Sequence, residues 1–156
     1  MVHHYLIAED DQNMRVLIQR AYGSLVLQDV SMHYVEDGQE AIDYLAGDSQ
    51  FSDRAKFPLP TLLLLDFKMP RKSGLDVLTW VRQSPLKEIV VVMFSGSDAE
   101  ADVHQAYKWG ANFIHSQTDF FRRPQTRLDR HSSLLVWVQL YSQSRRRDCS
   151  PTADTV

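Results

Sequence analysis

Acidic and hydroxyl side chains stand directly after three apolar segments of the sequence, where they could act together. Glu9, Asp10 and Asp11 follow the first segment, Asp66 follows the third, and Ser95 follows the fourth. Carboxylates that are held close together repel one another and bind protons more tightly unless a cation neutralises them. Mg²⁺ suits such a set because it binds a few carboxylates and keeps water and phosphate oxygens as its other ligands. These residue types therefore predict a Mg²⁺ site with a hydroxyl group beside it.

Helix capping is the ordinary alternative role for each of these acids taken alone. One of Glu9, Asp10 and Asp11 is expected to be the N-cap of the helix that follows. Asp66 lacks this explanation, because Met69-Pro70 rule out a helix that begins directly after it. Asp66 also interrupts an apolar run, so we predict a functional role for it.

Apolar patterning predicts strands and helices that alternate and bring these residues together. Predicted strands cover residues 5–8, 30–35, 62–65, 89–94 and 112–115, and predicted helices cover 14–21, 41–45, 75–81, a stretch from 97 to 110, and 127–142. In the first helix the apolar stripe consists of Met14, Leu17, Ile18 and Ala21. Alternating units of this kind form a parallel sheet with helices on both faces, and ligands bind at the carboxyl ends of its strands. The acidic residues and Ser95 are therefore predicted to lie together at one edge of the sheet.

Composition limits the class of protein. The 156 residues suffice for one domain with a core, and the net charge of -3 lacks the basic excess of nucleic-acid binders. The apolar stretches are too short to cross a membrane, and the first residues lack the features of a signal peptide. The single cysteine, Cys149, cannot form a disulfide within the chain. We therefore predict a cytoplasmic protein that binds neither nucleic acid nor membrane.

Two stretches lie outside the alternating pattern. Residues 47–60 form a polar link with two prolines, which predicts a long loop or a partly helical insertion. Residues 143–156 have no apolar periodicity, which predicts a disordered tail after a domain that spans 1–142. Trp109, Trp137 and Tyr141 lie on the last two helices, where exposed aromatic rings would indicate an interface.

Several motifs together resemble the receiver domains of response regulators. They are Glu9-Asp10, the run LLLLDFKMP followed by Gly74, the run FSGS, and Gly110-Ala111. The resemblance implies a flavodoxin-like (βα)5 fold, an α/β protein whose doubly wound, parallel, five-stranded sheet has the order 2-1-3-4-5. The long link and the runs PRKSGLDVL and SDAEADVHQAY are most similar to the phytochrome-associated, stand-alone branch. That likeness favours a homodimer over a monomer.

The resemblance assigns the metal and the phosphoryl acceptor to particular residues. Asp66 would accept a phosphoryl group from a sensor histidine kinase and form an acyl phosphate. Asp10, Asp66 and the backbone carbonyl of Lys68 would bind Mg²⁺ directly, with Glu9 holding it through water. This chemistry makes the chain a signalling receiver, which catalyses only its own phosphoryl transfer and dephosphorylation.

The resemblance also implies how the phosphoryl group would be read. Ser95 would hydrogen-bond the phosphoryl oxygens, and Phe113 would be the aromatic switch that turns inward when Ser95 moves. The last helices would then contact a downstream protein. Gly74 would serve the turn after the acceptor, through either close approach or an unusual φ.

One position departs from the family pattern. The family has a lysine after the fifth strand, whereas this sequence has Ser116 there if the aromatic residues are aligned and Gln117 if no gap is allowed. We expect slower or weaker phosphorylation, or an altered coupling of phosphorylation to shape. Lys68 could supply charge from another direction, although a solvent-facing Lys68 is the favoured interpretation.

Two other functions stay open. The missing lysine would also fit a degenerate receiver that acts as a phosphorylation-independent interaction module. A small hydrolase or phosphatase with Asp66 as its nucleophile ranks last, because such enzymes use a second acid where this chain has Lys68.

Overall fold

Strands and helices alternate along the chain as predicted, in a computed structural model that describes residues 2–24, 30–96 and 100–116. In chain order the elements are β1 (His3–Ala8), α1 (Gln12–Ser24), β2 (Val30–Val35), α2 (Gly38–Ala46), a 3-10 helix (Ser49–Phe51), β3 (Leu62–Asp66), α3 (Gly74–Gln83), β4 (Val90–Ser95), α4 (Glu100–Lys108) and β5 (Phe113–Ser116). All strand pairs are parallel, in the order β2-β1-β3-β4-β5. The predicted α/β fold and its strand order are confirmed. The predicted helix at 127–142 and the tail at 143–156 lie outside the described residues.

Separate apolar clusters cover the two faces of the sheet. Neighbouring residues of a strand point to opposite faces. Leu63 and Leu65 therefore pack with α2 and α3, whereas Leu62 and Leu64 pack on the face that α1 covers. Burial of each such side chain is worth roughly 1.5–3 kcal/mol. All five residues of β3 are buried, so Asp66 ends a strand that the core holds in place.

The apolar stripe of α1 is narrower than the sequence predicted. Ile18 is fully buried, and Met14, one turn earlier, packs partly buried against the same cluster. Leu17 was predicted in this stripe but is 42% exposed, so that prediction is wrong. Consecutive helical residues lie about 100° apart around the axis, and a helix seated on Met14 and Ile18 therefore turns Leu17 away from the sheet.

The link before β3, residues 47–60, is partly helical, which is one of the two alternatives predicted from the sequence. Phe51, in its 3-10 helix, packs its ring 5.1 Å from the rings of Tyr44 and Phe57. The Arg54 guanidinium donates to the carbonyl oxygens of Tyr44 and Leu45 at 2.7 and 2.8 Å. The link is thereby fastened to the end of α2.

A buried carboxylate connects α2 to the loop that follows β3. Asp37 is the N-cap of α2, and its Oδ1 accepts the Glu40 N–H at 2.9 Å. Its Oδ2 accepts from Arg71 Nε at 2.7 Å. Arg71 adopts a left-handed backbone conformation with φ of 63°. The residues after Asp66 are therefore held against the start of a neighbouring helix.

Candidate functional site

Glu9, Asp10 and Asp66 meet at the carboxyl edge of the sheet. Glu9 and Asp10 follow β1, and Asp66 is the last residue of β3, the neighbour of β1. The register that pairs Ala8 with Leu65 places the two strand ends at the same level. One carboxylate oxygen from each acid lies within 4.8 Å of the other two. The structure thus brings together the three carboxylates that the sequence predicted as neighbours.

Glu9 is buried without full compensation for its charge. It is only 2% exposed, and its Oε1 accepts the Asp11 N–H at 3.1 Å. Its Oε2 is buried and has no hydrogen-bond partner among residues 2–24, 30–96 and 100–116. Burial, followed by the charge of Asp66, raises the pKa of Glu9 from 4.5 to about 7. A buried carboxylate oxygen left unpaired is costly, so a cation at this point would stabilise the site.

Asp66 has an elevated proton affinity for a similar reason. It is 7% exposed, and its burial raises its pKa from 3.8 to about 6, with a further upward contribution from Asp10. The backbone N–H groups of Phe67 and Lys68 act in the opposite direction, as does the ammonium charge of Lys68. Lys68 is exposed, in agreement with the favoured interpretation, yet its charge lowers the pKa of Asp66.

The donor set fits a hard divalent cation. Two of the three acids are buried and one, Asp10, is exposed. Mg²⁺ prefers oxygen ligands and keeps several waters, which a site with one solvent-facing member allows. The buried Glu9 Oε2 and the raised pKa values of Glu9 and Asp66 both indicate negative charge that the described residues do not neutralise.

Asp11 is the acid that caps the following helix. Its Oδ1 accepts the Asn13 N–H at 2.7 Å and the Met14 N–H at 3.4 Å. The sequence predicted that one of the three consecutive acids would have this role without saying which. Because Asp11 serves α1, Glu9 and Asp10 are the members of the run that face Asp66.

Gly74 allows α3 to approach Asp66 closely. Its N–H donates to the Phe67 carbonyl at 3.0 Å, and a Cβ at this position would lie 2.1 Å from the backbone oxygen of Asp66. Of the two roles that the sequence left open, close approach is therefore the correct one.

The neighbouring strand ends lie beside this cluster. Ser95 ends β4, which pairs with β3, and the register of β4 with β5 places Ser116 opposite Ser95. Phe113 begins β5 and is half-buried against the cluster on the α1 face.

One contributor to the site was not identified from the sequence. The Arg15 guanidinium donates to the carbonyl oxygens of Glu9 and Asp10. From sequence alone, a single arginine in the first turns of a helix is ordinarily interpreted as a solvent-exposed residue. Its spacing of five and six residues from the two acids was the one available signal.

Comparison with known proteins extends the resemblance seen in the sequence. Residues 5–116 match the family described as response regulator receiver domain. Response regulator Rcp1 of Synechocystis sp. is 32% identical over 108 residues, which cover 69% of this chain and 71% of Rcp1. Chemotaxis protein CheY1 of Helicobacter pylori is 31% identical over 108 residues, covering 69% of this chain and 78% of that protein.

Solved structures give the same picture. The Mn(2+)-bound form of response regulator Rcp1 superposes with a TM-score of 0.71 at 25% identity, covering 90% of this chain and 94% of that chain. The bacteriophytochrome response regulator AtBRR gives a TM-score of 0.67 at 31% identity, covering 75% of this chain and 83% of that chain.

Among the helices that the structure describes, none combines the length and apolar character that a membrane span requires.

Proposed function

We propose, because the chain belongs to the response regulator receiver domain family of two-component systems, that Asp66 accepts a phosphoryl group from the phosphohistidine of a sensor histidine kinase. One observation carries the proposal. Three carboxylates converge within 4.8 Å, and a buried oxygen of one of them has no hydrogen-bond partner in the described part of the chain. Such a cluster is suited to a cation that in turn binds a phosphoryl group.

Several residues of this chain would prepare the reaction. Asp10, Asp66 and the Lys68 carbonyl would bind Mg²⁺ directly, and Glu9 would hold it through water. When bound, Mg²⁺ would supply positive charge that neutralises the phosphoryl oxygens. The Mn(2+) bound to the related Rcp1 supports a divalent cation in this role. At neutral pH Asp66 is mainly ionised, since its pKa is about 6 even without a cation.

The transfer itself exchanges one bond for another. A carboxylate oxygen of Asp66 forms a bond to phosphorus while the phosphorus–nitrogen bond of the phosphohistidine breaks. The departing imidazole nitrogen keeps the bonding electrons and takes up a proton. Water later hydrolyses the acyl phosphate, which releases inorganic phosphate and regenerates the Asp66 carboxylate.

Phosphorylation of Asp66 would change the conformation near β4 and β5, through Ser95 and Phe113. The Ser95 hydroxyl donates to a phosphoryl oxygen, and Phe113 turns inward as Ser95 moves. The surface formed by the last helices then binds a downstream protein or a second copy of the chain. Tyr107 and Trp109, at and just after the end of α4, are 52% and 46% exposed, which supports an interface there. We place this signalling in the cytoplasm.

Labelling with a small phosphodonor tests the acceptor. Wild-type protein incubated with acetyl phosphate and MgCl₂ is expected to gain the mass of one phosphoryl group, whereas Asp66→Asn gains none because an amide is not a nucleophile for this transfer. Intact-mass spectrometry measures the adduct. Asp53→Asn is the matched control, since Asp53 is exposed on the link that enters β3 from the opposite end. Equal labelling of wild type and Asp66→Asn would contradict the assignment.

A phosphorylation-independent interaction module is the second candidate, and the absence of the family's lysine after β5, where this chain has Ser116 or Gln117, favours it. If the missing charge merely slows transfer, Ser116→Lys should raise the rate of labelling by acetyl phosphate about tenfold or more, since one well-placed donor often contributes that much. Gln83→Lys, at the exposed end of α3, controls for added charge. Absence of any adduct in wild type and in Ser116→Lys, with both proteins folded, would favour the module.

A further inference from the structure

Arg15 contacts the backbone of both acidic residues that follow β1. Its Nη1 donates to the carbonyl oxygen of Glu9 at 2.7 Å and to that of Asp10 at 3.2 Å. Its backbone N–H donates to the Asp11 carbonyl at 3.0 Å. One residue therefore satisfies three successive carbonyl groups of the turn that leads from β1 into α1.

The guanidinium is itself held in place. Arg15 Nη2 donates to Glu36 Oε1 at 3.0 Å, and the arginine side chain is only 16% exposed. Glu36 follows Val35, whose carbonyl accepts the Glu9 N–H at 3.1 Å. The end of β2 thus supports the turn twice, once directly through Val35 and once through the pair of Glu36 with Arg15.

We propose that Arg15 is a positioning residue for the metal centre, which holds the Glu9–Asp10 backbone so that the two carboxylates face Asp66. The inference rests on the proposed function, in which these three acids bind Mg²⁺. Arg15 donates to carbonyl oxygens, so it orients the ligands and leaves their carboxylate oxygens available. The planar guanidinium, with its several donors, can bridge both carbonyls and Glu36 at once. Groups that support metal ligands in this way commonly contribute to affinity.

The contacts of Arg15 and its positive charge predict opposite effects of its removal on cation binding. The positive charge of Arg15 repels a divalent cation, so its removal would tighten binding if charge were its only influence. Loss of the contacts to Glu9 and Asp10 would instead loosen the ligands and weaken binding. Mg²⁺ demands near-octahedral geometry, whereas Ca²⁺ tolerates irregular sites. The loss should therefore be larger for Mg²⁺ than for Ca²⁺.

Calorimetric titration of the full chain with MgCl₂ and, separately, with CaCl₂ measures both effects. Arg15→Ala is expected to raise the Kd for Mg²⁺ about tenfold to a hundredfold and the Kd for Ca²⁺ by a smaller factor. Arg15→Lys keeps the charge but cannot bridge both carbonyls and Glu36, so its Kd for Mg²⁺ should also rise, by about tenfold. Arg20→Ala is the matched control, because Arg20 lies exposed on the same helix. Its Kd should stay within about twofold of wild type.

The outcomes separate this inference from the function on which it rests. Mg²⁺ binding by Arg15→Ala that equals or exceeds wild type would overturn the positioning role while leaving the wild-type metal site intact. Absence of Mg²⁺ binding by wild type would overturn the metal centre and the inference together. Should Arg15→Ala fail to fold, Arg15→Lys decides by the same comparison. Urea unfolding without metal checks that a raised Kd reflects the folded site, since a purely structural role would lower stability and leave the Kd unchanged.

Discussion

Gly74→Ala is expected to lower the free energy of unfolding by about 3 kcal/mol and to reduce labelling of Asp66 by acetyl phosphate severely. The added Cβ would lie 2.1 Å from the backbone oxygen of Asp66 and 3.1 Å from Met93 Cε. The methionine side chain can move, but the Asp66 carbonyl belongs to a buried strand and cannot yield without shifting Asp66 itself. The gain in helix propensity from Gly to Ala is at most about 1 kcal/mol and does not offset such a clash.

Urea unfolding and the rate of labelling together measure the consequence of Gly74→Ala. Gln83→Ala is the matched control, because it changes the exposed other end of α3 and should alter stability by no more than about 0.5 kcal/mol. If Gly74→Ala unfolded and reacted like this control, the close approach of α3 to the acceptor would have no functional weight.

The fold was predictable because its signals are local and repeated. The run of four leucines before Asp66 indicates a strand covered on both faces, and β3 is buried throughout. Parallel strands then determine which residues share an edge, so the meeting of Glu9, Asp10 and Asp66 followed from the pattern. The identification of the capping acid did not follow, because all three acids can accept helix N–H groups and only the backbone geometry selects Asp11.

Contacts between distant segments were beyond the sequence. Asp37 and Arg71 are paired although they lie 34 residues apart in the chain, and no sequence pattern near either residue predicts this contact. Arg15 was missed because its partners are backbone carbonyls, and every residue offers a carbonyl. Leu17 was misplaced because hydrophobicity marks the residues that can be buried, whereas the rotation of α1 on the sheet decides which of them are.

Metal-free wild-type protein is expected to lose stability as pH rises from about 4.5 to about 7, and Glu9→Gln should remove the part that Glu9 contributes, leaving the smaller loss that Asp66 causes up to about pH 6. The folded chain holds a proton on Glu9 up to a pKa of about 7, whereas the unfolded chain releases it at the ordinary value of 4.5. Between these values the unfolded state binds fewer protons than the folded state, so the free energy of unfolding falls with rising pH. Glu9 contributes about 3 kcal/mol to the free energy of unfolding at low pH, and this contribution is fully lost above pH 7.

Glu9→Gln in EDTA should therefore be more stable than wild type by about 2–3 kcal/mol near pH 8, and the two proteins should converge near pH 4.5. Excess MgCl₂ should reverse the order, because the cation binds the ionised wild-type site and stabilises only the folded state. Urea unfolding across this pH range, with and without Mg²⁺, measures both effects. Glu88→Gln is the matched control at an exposed acid, and its stability curve should parallel that of wild type. Parallel curves for Glu9→Gln as well would mean that the buried Glu9 oxygen is compensated in solution, and the physical argument for a cation at this edge of the sheet would fail with it.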